Sequence, residues 1–307
     1  MSSAVLYVWA AGGIDPSPRP RVVKARAMPL LIQPAESVSR PPAAIELRDI
    51  LPEKLAGLSS GAIARLPISI DGRPATLGDA FTLSGDCADG MIECRGDFSH
   101  VHQLGAGMTH GLITVDGDVG RHAAAEMTGG RFTTTGRAGD WLAAGMRGGD
   151  VIVGGSVGDN AAGALPGRRH GMEGGRVLVG GDAGALAGSR MRRGLLLVGR
   201  ACGEGVALEM RAGTVVTMTA GRHRAVGMGR GSLVLLEPIP ADESPAAGFS
   251  RGGRWMPGFL PLLARSLPSV TPWDGIATRL ASGPWQQWHG DPLGDSRGEI
   301  LCPADGA

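Results

Sequence analysis

Seven histidines (100, 102, 110, 122, 170, 223 and 289) and four cysteines (87, 94, 202 and 302) are the side chains best suited to metal or acid–base chemistry. His100 and His102 share one face of an extended segment, and His110 follows closely. Zinc sites add cysteine or carboxylate ligands at set spacing, and the sequence has no such cluster and no CxxC pair. No GxSxG elbow marks an activated serine. The GxGxxG-like string near Gly203 belongs to a repeat corner, not to a strand-to-helix phosphate loop. No catalytic residue and no metal ligand is assigned. Cys87 and Cys94 read as small buried hydrophobes, and the cysteine usage fits a reduced, cytoplasmic protein.

Arginine is the other chemistry-bearing type. Of 30 basic residues only Lys24 and Lys54 are lysines, while 29 acidic residues leave a formal charge of +1. That balance gives no global field for nucleic acid. The arginine surplus has two readings: codon composition, or a surface whose guanidinium forks bind carboxylates or phosphates. Arg168 and Arg169 with His170, and Arg192 and Arg193 with Arg190, are the local clusters. They read either as solvated loop charges or as contacts to an acidic coenzyme tail or an acidic partner surface.

The elements that must position these residues are repeats. Glycines 90, 111, 130, 149, 175, 194, 213 and 231 each open a short β-like run, at spacings of 21, 19, 19, 26, 19, 19 and 18. A methionine stands three residues before seven of the eight: Met108, Met127, Met146, Met172, Met191, Met210 and Met228. A fixed period of this size means a solenoid whose units bury their faces against each other. The apolar runs are too short for helices.

Side chains alternate along a strand, so the second and fourth residues after each glycine point the same way. The second residues run from Ile92 through Ile113, Phe132, Val151, Val177, Leu196 and Val215 to Leu233. The fourth run from Cys94 to Leu235. These two columns predict the interior of an all-β, right-handed, single-stranded parallel β-helix of about eight turns of ~19 residues. Stacking at roughly 4.8 Å per turn gives a rod on the order of 35 Å long, with an internal methionine column. Between the columns, on the outer face, Ile152, Leu178, Leu197, Val216 and Val234 form a stripe too apolar to stay wet. Its cover is either the chain's own C-terminal segment or another polypeptide of an assembly. The one long spacing places an insertion at residues 164–171, a loop that carries Arg168 and Arg169.

Four segments follow: an extension or linker at 1–44, open to disorder; an N-terminal cap at 45–84; the repeat domain at 85–236; and a tail at 237–307 that packs on the rod or a partner. The spacing predicts small helices at 52–58 and 60–66, a strand from Pro67 to Gly72, and an apolar helix at 257–267. Residues 284–301 read as loop-rich, anchored by Trp285 and Trp288. Met28 is an alternative start. The apolar run Ala4–Ala11 lacks a basic flank, which predicts no signal peptide, and no run of ~18 apolar residues predicts a membrane span. Glycine (52) and proline (21) are abundant, yet 43% of residues are hydrophobic, which excludes a disordered chain. Glycine does not recur every third residue, which excludes collagen.

With these residues in view, the chain resembles the C-type subunit of the formylmethanofuran dehydrogenase family, most of all its version in the bacterial formyltransferase/hydrolase complex. The resemblance rests on Leu51-Pro-Glu-Lys-Leu, Ile63-Ala-Arg-Leu-Pro, Leu77-Gly-Asp-Ala-Phe81, the Met-x-x-Gly repeats, Gly290-Asp291 and Gly298-Glu-Ile-Leu301. The repeat alone is also similar to the C-terminal domain of glutamate synthase, which keeps open a channel-shaping or allosteric role. The resemblance implies a complex that moves a formyl group from formyl-tetrahydromethanopterin to a methanofuran-type coenzyme and hydrolyses it to formate, in one-carbon (formaldehyde) oxidation. It implies three partners: a formyltransferase subunit, an amidohydrolase-like subunit and a third, B-type subunit. In that family the C-type subunit is a scaffold, so no catalytic residue carries over. The archaeal tungsten or molybdenum dehydrogenase is the alternative setting. Methanofuran-type coenzymes carry glutamate-rich tails, which would give Arg168, Arg169, Arg192 and Arg193 a ligand.

Overall fold

A computed structural model describes residues 28–35, 42–239, 245–270, 272–290 and 296–304. Most of the extension assigned to 1–44, the question of residues 1–27, and Asp291 of the closing motif lie outside the described residues.

The chain begins with β1 (Leu30–Pro34), β2 (Ile45–Glu46), α1 (Pro52–Leu55), α2 (Ser60–Ala64), β3 (Pro67–Ile70), β4 (Arg73–Thr76), α3 (Leu77–Ala80) and β5 (Phe81–Ser84). The repeats supply β6 (Met91–Arg95), β7 (Val101–His102), β8 (Leu112–Asp116), β9 (Arg131–Thr134) and β10 (Asp150–Val153). They continue with β11 (Arg176–Val179), β12 (Leu195–Val198), β13 (Ala201–Cys202), β14 (Thr214–Thr217), β15 (Thr219–Ala220) and β16 (Arg230–Leu235). The C-terminal part holds β17 (Ser250–Trp255), α4 (Phe259–Ser266), α5 (Trp273–Ala281), β18 (Trp285–His289) and β19 (Arg297–Pro303). The chain is therefore mainly strand with few, short helices.

One 13-stranded sheet dominates, in the order β17-β18-β19-β16-β14-β12-β11-β10-β9-β8-β6-β1-β5. From β6 to β16 the pairs are parallel and in register: Ile92 faces Ile113, Val151 faces Val177, Leu196 faces Val215. Every residue of the second-position column from Ile92 to Leu233 is buried, and so is every fourth-position residue from Cys94 to Leu235. A fully buried Val, Leu or Ile contributes about 1.5–3 kcal/mol relative to exposure, so the two columns are the main source of cohesion. A second line of parallel bridges joins Phe98, Val119, Ala138, Val157, Ala183 and Cys202, eight residues after each glycine. The seven methionines are buried beside the columns.

Composition misleads at both ends. Leu30–Pro34 sits in a Pro- and Arg-rich stretch that reads as linker, yet it is a strand parallel to β6, with Leu30 on Ile92 and Ile32 on Cys94. Three apolar residues in a row extend both interior columns by one rung, and the complete burial of Leu30 and Ile32 outweighs the composition of the flanks. The segment 284–301, read as loop-rich, contains β18 and most of β19. Gly298 takes the place of an opening glycine, pairing with Gly231, while Ile300 and Leu301 pair with Leu233 and Val234. The repeat resumes after the intervening tail, which hides its period. Antiparallel β5 closes one end of the stack, and β18 with β17 closes the other.

The expected small helices form, each a few residues shorter. Pro occupies the start of α1, and Gly57 just beyond it has φ +82°, which an L side chain resists. Ser59 caps α2 by accepting from the Ala62 N–H. In α3 the Asp79 carboxylate accepts from the Thr76 N–H at 2.8 Å, a capping box.

The outer stripe is covered from Leu178 onward, while Ile152 at its edge is half-buried. Leu178, Leu197, Val216 and Val234 are fully buried in one cluster with Leu260 and Ala264 of α4, Ile276 and Leu280 of α5, Trp285 and Leu301. The chain's own helices supply the cover. Trp285, 1% exposed, donates from its indole N–H to the Ser282 carbonyl at 2.7 Å.

Candidate functional site

Two residues before each opening glycine, the backbone N–H donates to the carbonyl of the methionine one repeat earlier: Arg147 to Met127, Glu173 to Met146, Arg192 to Met172 and Arg211 to Met191, at 2.7–2.8 Å. These bonds align the four side chains as a column one rung apart, roughly 4.8 Å. The inserted loop at 164–171 lies against this column. Arg168 reaches Glu126 at 2.7 Å, and Glu126 also holds Arg48 of the N-terminal segment at 3.3 Å. Glu173 likewise holds two arginines, Arg192 at 3.4 Å and Arg147 at 3.8 Å. Farther along, Arg190 pairs with Glu209 at 2.8 Å.

Between loop and column is a pocket of about 290 Å³ lined by Glu126, Arg147, Arg168, Arg169, His170 and Glu173, with Leu165, Gly145 and Gly167. His170 Nδ1 is buried there without a hydrogen-bond partner among the described residues. The structure thus brings Arg168 and Arg169 to one site. Arg192 joins it through Glu173, whereas Arg193 does not line it. Sequence reasoning misses Arg147, Glu126 and Glu173 and does not predict that the half-buried His170 has its Nδ1 shut off from solvent. The signal for two of them is present in the repeat: Arg147 and Glu173 occupy the same position as Arg192.

The groups that could do covalent chemistry are poorly placed for it. Burial pushes the Cys87 thiol up to about 11, aided by Asp89, Asp86 and Glu53 nearby, and burial alone raises Cys94. Such thiols are not nucleophiles at neutral pH. His102 and His122 are held below the usual histidine range, first by burial and then by the Arg121 charge. His102 Nδ1 accepts from the Arg121 N–H at 3.1 Å, and His122 stacks on Trp141 with ring centroids 5.9 Å apart. No group of three or more His, Cys, Asp or Glu among the described residues could hold a metal ion. No helix among them is long and apolar enough to cross a membrane.

No family model matches the chain. The C-type Fhc subunit of the formyltransferase/hydrolase complex of Methylorubrum extorquens is 36% identical over 80 residues, 26% of this chain and 30% of that protein. The matched part thus spans about a third of that curated relative. A crystal structure of the formyltransferase/hydrolase complex (FhcABCD) from Methylorubrum extorquens with methylofuran contains a similar chain. The two agree with a TM-score of 0.77 and 32% identity, covering 89% of this chain and 99% of that one.

Proposed function

Since the chain belongs to the family of the C-type subunit of the formyltransferase/hydrolase complex, we propose that it is the non-catalytic scaffold of such a complex. The observation that carries this reading is the likeness over nearly the full length of a chain in the FhcABCD structure. The packing agrees, because the sequence is spent on stacked apolar columns and its thiols are shut away from solvent.

In this reading the repeats at 85–236 wind as a right-handed, single-stranded parallel β-helix. The equal register of successive strands and the second line of bridges support it. The segments 45–84 and 237–307 are its caps. Its partners are a formyltransferase subunit, an amidohydrolase-like subunit and a B-type subunit, in the cytoplasm. The complex transfers formyl to a methanofuran-type coenzyme and releases formate. The FhcABCD structure was solved with methylofuran, which supports a coenzyme of that class in the complex.

Arg168, Arg169, Arg192 and Arg193 are the residues of this chain that would meet an acidic coenzyme tail or an acidic partner surface. The donor-rich pocket fits a carboxylate-bearing group. The chain's own contribution is to hold Arg192 and Arg193 at the turns of the stack and Arg168 and Arg169 on the loop beside it. Tagging the chain in its native host and identifying what co-purifies tests the reading. Three further polypeptides at constant ratio support it, and a chain that purifies alone rejects it.

A further inference from the structure

We infer that the outer face of the C-terminal layer formed by β17, α4 and α5 docks another polypeptide, one whose contact patch is apolar at its centre and carries carboxylates at its rim. That polypeptide's place in an assembly rests on the scaffold role proposed above. Seven large hydrophobic side chains are exposed among the described residues. Four of them fall within sixteen positions of this layer: Trp255 (45%), Met256 (39%), Leu262 (64%) and Val270 (59%). The inner side of the layer is spent on the stripe, where Leu260 and Ala264 of α4 pack. Leu262, two residues from each, projects from the opposite side of the helix. Trp255 stands opposite Trp285 in the β17–β18 pair, so both project on the side where the helices lie. The Met256 sulfur lies against Gly283, just before β18, and Val270 sits in the turn between the helices. So much exposed apolar surface in one layer marks an interaction site. The layer is also pinned in place: Arg176 donates to the Ser266 carbonyl at 2.9 Å, and Arg279 donates to the Leu236 carbonyl at 3.4 Å. A face already fixed loses little freedom on docking.

The charge around these residues selects the partner. Residues 245–281 carry four arginines (Arg251, Arg254, Arg265 and Arg279) and one carboxylate, Asp274. The exposed guanidinium groups of Arg254 and Arg265 make no hydrogen bond or ion pair among the described residues. Trp, Met and Arg are enriched where proteins meet, and Asp and Glu are depleted there. Other occupants are disfavoured. A second copy of the same face would bring arginines onto arginines. A strand added to the open edge of β17 would meet two arginines and the irregularity at Gly252 and Gly253, features that keep sheet edges apart. A lipid surface is met by an amphipathic helix with a broad apolar face, whereas α4 turns its apolar side to the stripe and shows one leucine outward.

The test uses the assembly purified from the native host through a tag on this chain. In Arg265→Lys, a carbodiimide joins the introduced amine to a contacting carboxylate. Coupling to Asp or Glu of one other polypeptide is expected. Leu262→Asp, and separately Arg254→Glu with Arg265→Glu, should each lower the amount of that polypeptide per tagged chain by about tenfold or more, with the melting temperature unchanged. Val226→Asp, also exposed but on the rod, should retain it. Should Leu262→Asp destabilise the chain, the arginine pair decides, because its replacement breaks no ion pair. The inference is overturned by no coupling, by coupling between copies of this chain, by full retention in the arginine variant, or by equal loss with Val226→Asp. Sedimentation of the wild-type chain with phosphatidylserine vesicles, in place of coupling, would overturn it too. An assembly that keeps all three subunits in every variant defeats the inference alone. A wild-type chain that couples to one acidic partner but does not carry the three subunits defeats the scaffold reading alone.

Discussion

Met127 Cε fills the space that a side chain at Gly149 would need: a Cβ built on Gly149 would lie 2.6 Å from it. The same meeting recurs one repeat later between Met146 and Gly175, then between Met172 and Gly194, and between Met191 and Gly213. The Met-x-x-Gly motif is therefore a contact between repeats. The methionine of one unit lies under the glycine of the next, and that glycine also has a left-handed backbone (φ +94° at Gly149).

Gly149→Ala should be destabilising on both counts: about 1–3 kcal/mol for overpacking and ~1–2 kcal/mol for the left-handed backbone. Adding Met127→Ala removes the methionine contact but neither the close approach of the Gly130 carbonyl, also 2.6 Å from that Cβ, nor the backbone strain. Denaturant melts of the two single variants and the double variant should show a loss smaller than the sum. Strict additivity would show that the contact is not the reason for the motif.

The covered stripe gives a graded expectation. Leu197, fully buried against α4 and α5, should cost about 2–5 kcal/mol when cut to Ala. Thr133, on the same face but outside the cluster and half-buried, should cost within ~0.5 kcal/mol. Equal losses at the two positions would mean that the helices do not cover the stripe unevenly.

The interior columns, the outer stripe and the inserted loop are all legible in the sequence, because each is a property of a fixed period. Three things are not. β1 is one rung long, so it has no period of its own, and Pro and Arg neighbours mask it. β19 repeats the glycine, +2 and +3 pattern at Gly298, Ile300 and Leu301, but the tail of helices after Glu237 separates it from the register. The pocket escapes for a different reason: Glu126 meets Arg168 across 42 positions and Arg48 across 78, distances that only stacking closes.

The arginine pairs should matter little for folding. Arg168 and Glu126 keep 59% and 27% of their side-chain surface exposed, and exposed pairs of this kind contribute about 0–1 kcal/mol. Arg168→Ala with Arg169→Ala should therefore shift the melting temperature by only a few degrees. A large loss would make the loop a structural brace and not a binding element.

Stability should fall on the acid side. His102 and His122 have folded-state pKa values below the ordinary 6.5, chiefly through burial, so the unfolded chain binds protons more readily. Their contribution is full above the unfolded value and is lost as pH falls from about 6.5 through the folded values. Asp97, lowered first by its hydrogen bonds from Ser99, loses its contribution only further down, below the ordinary carboxylate range. Melting temperatures across pH 4–8 should decline below about pH 6.5, and His102→Gln should flatten that decline. An unchanged pH profile in this variant would show that His102 is not one of the groups responsible.

The most direct test of the scaffold role is reconstitution of the complex from its other three subunits with and without this chain. With the chain present, a stable assembly should turn formyl-tetrahydromethanopterin over to formate, while the chain alone has no activity. Without it, the remaining subunits should separate or lose most of their turnover. Full activity of the three without it, or turnover by the isolated chain, would contradict the scaffold role.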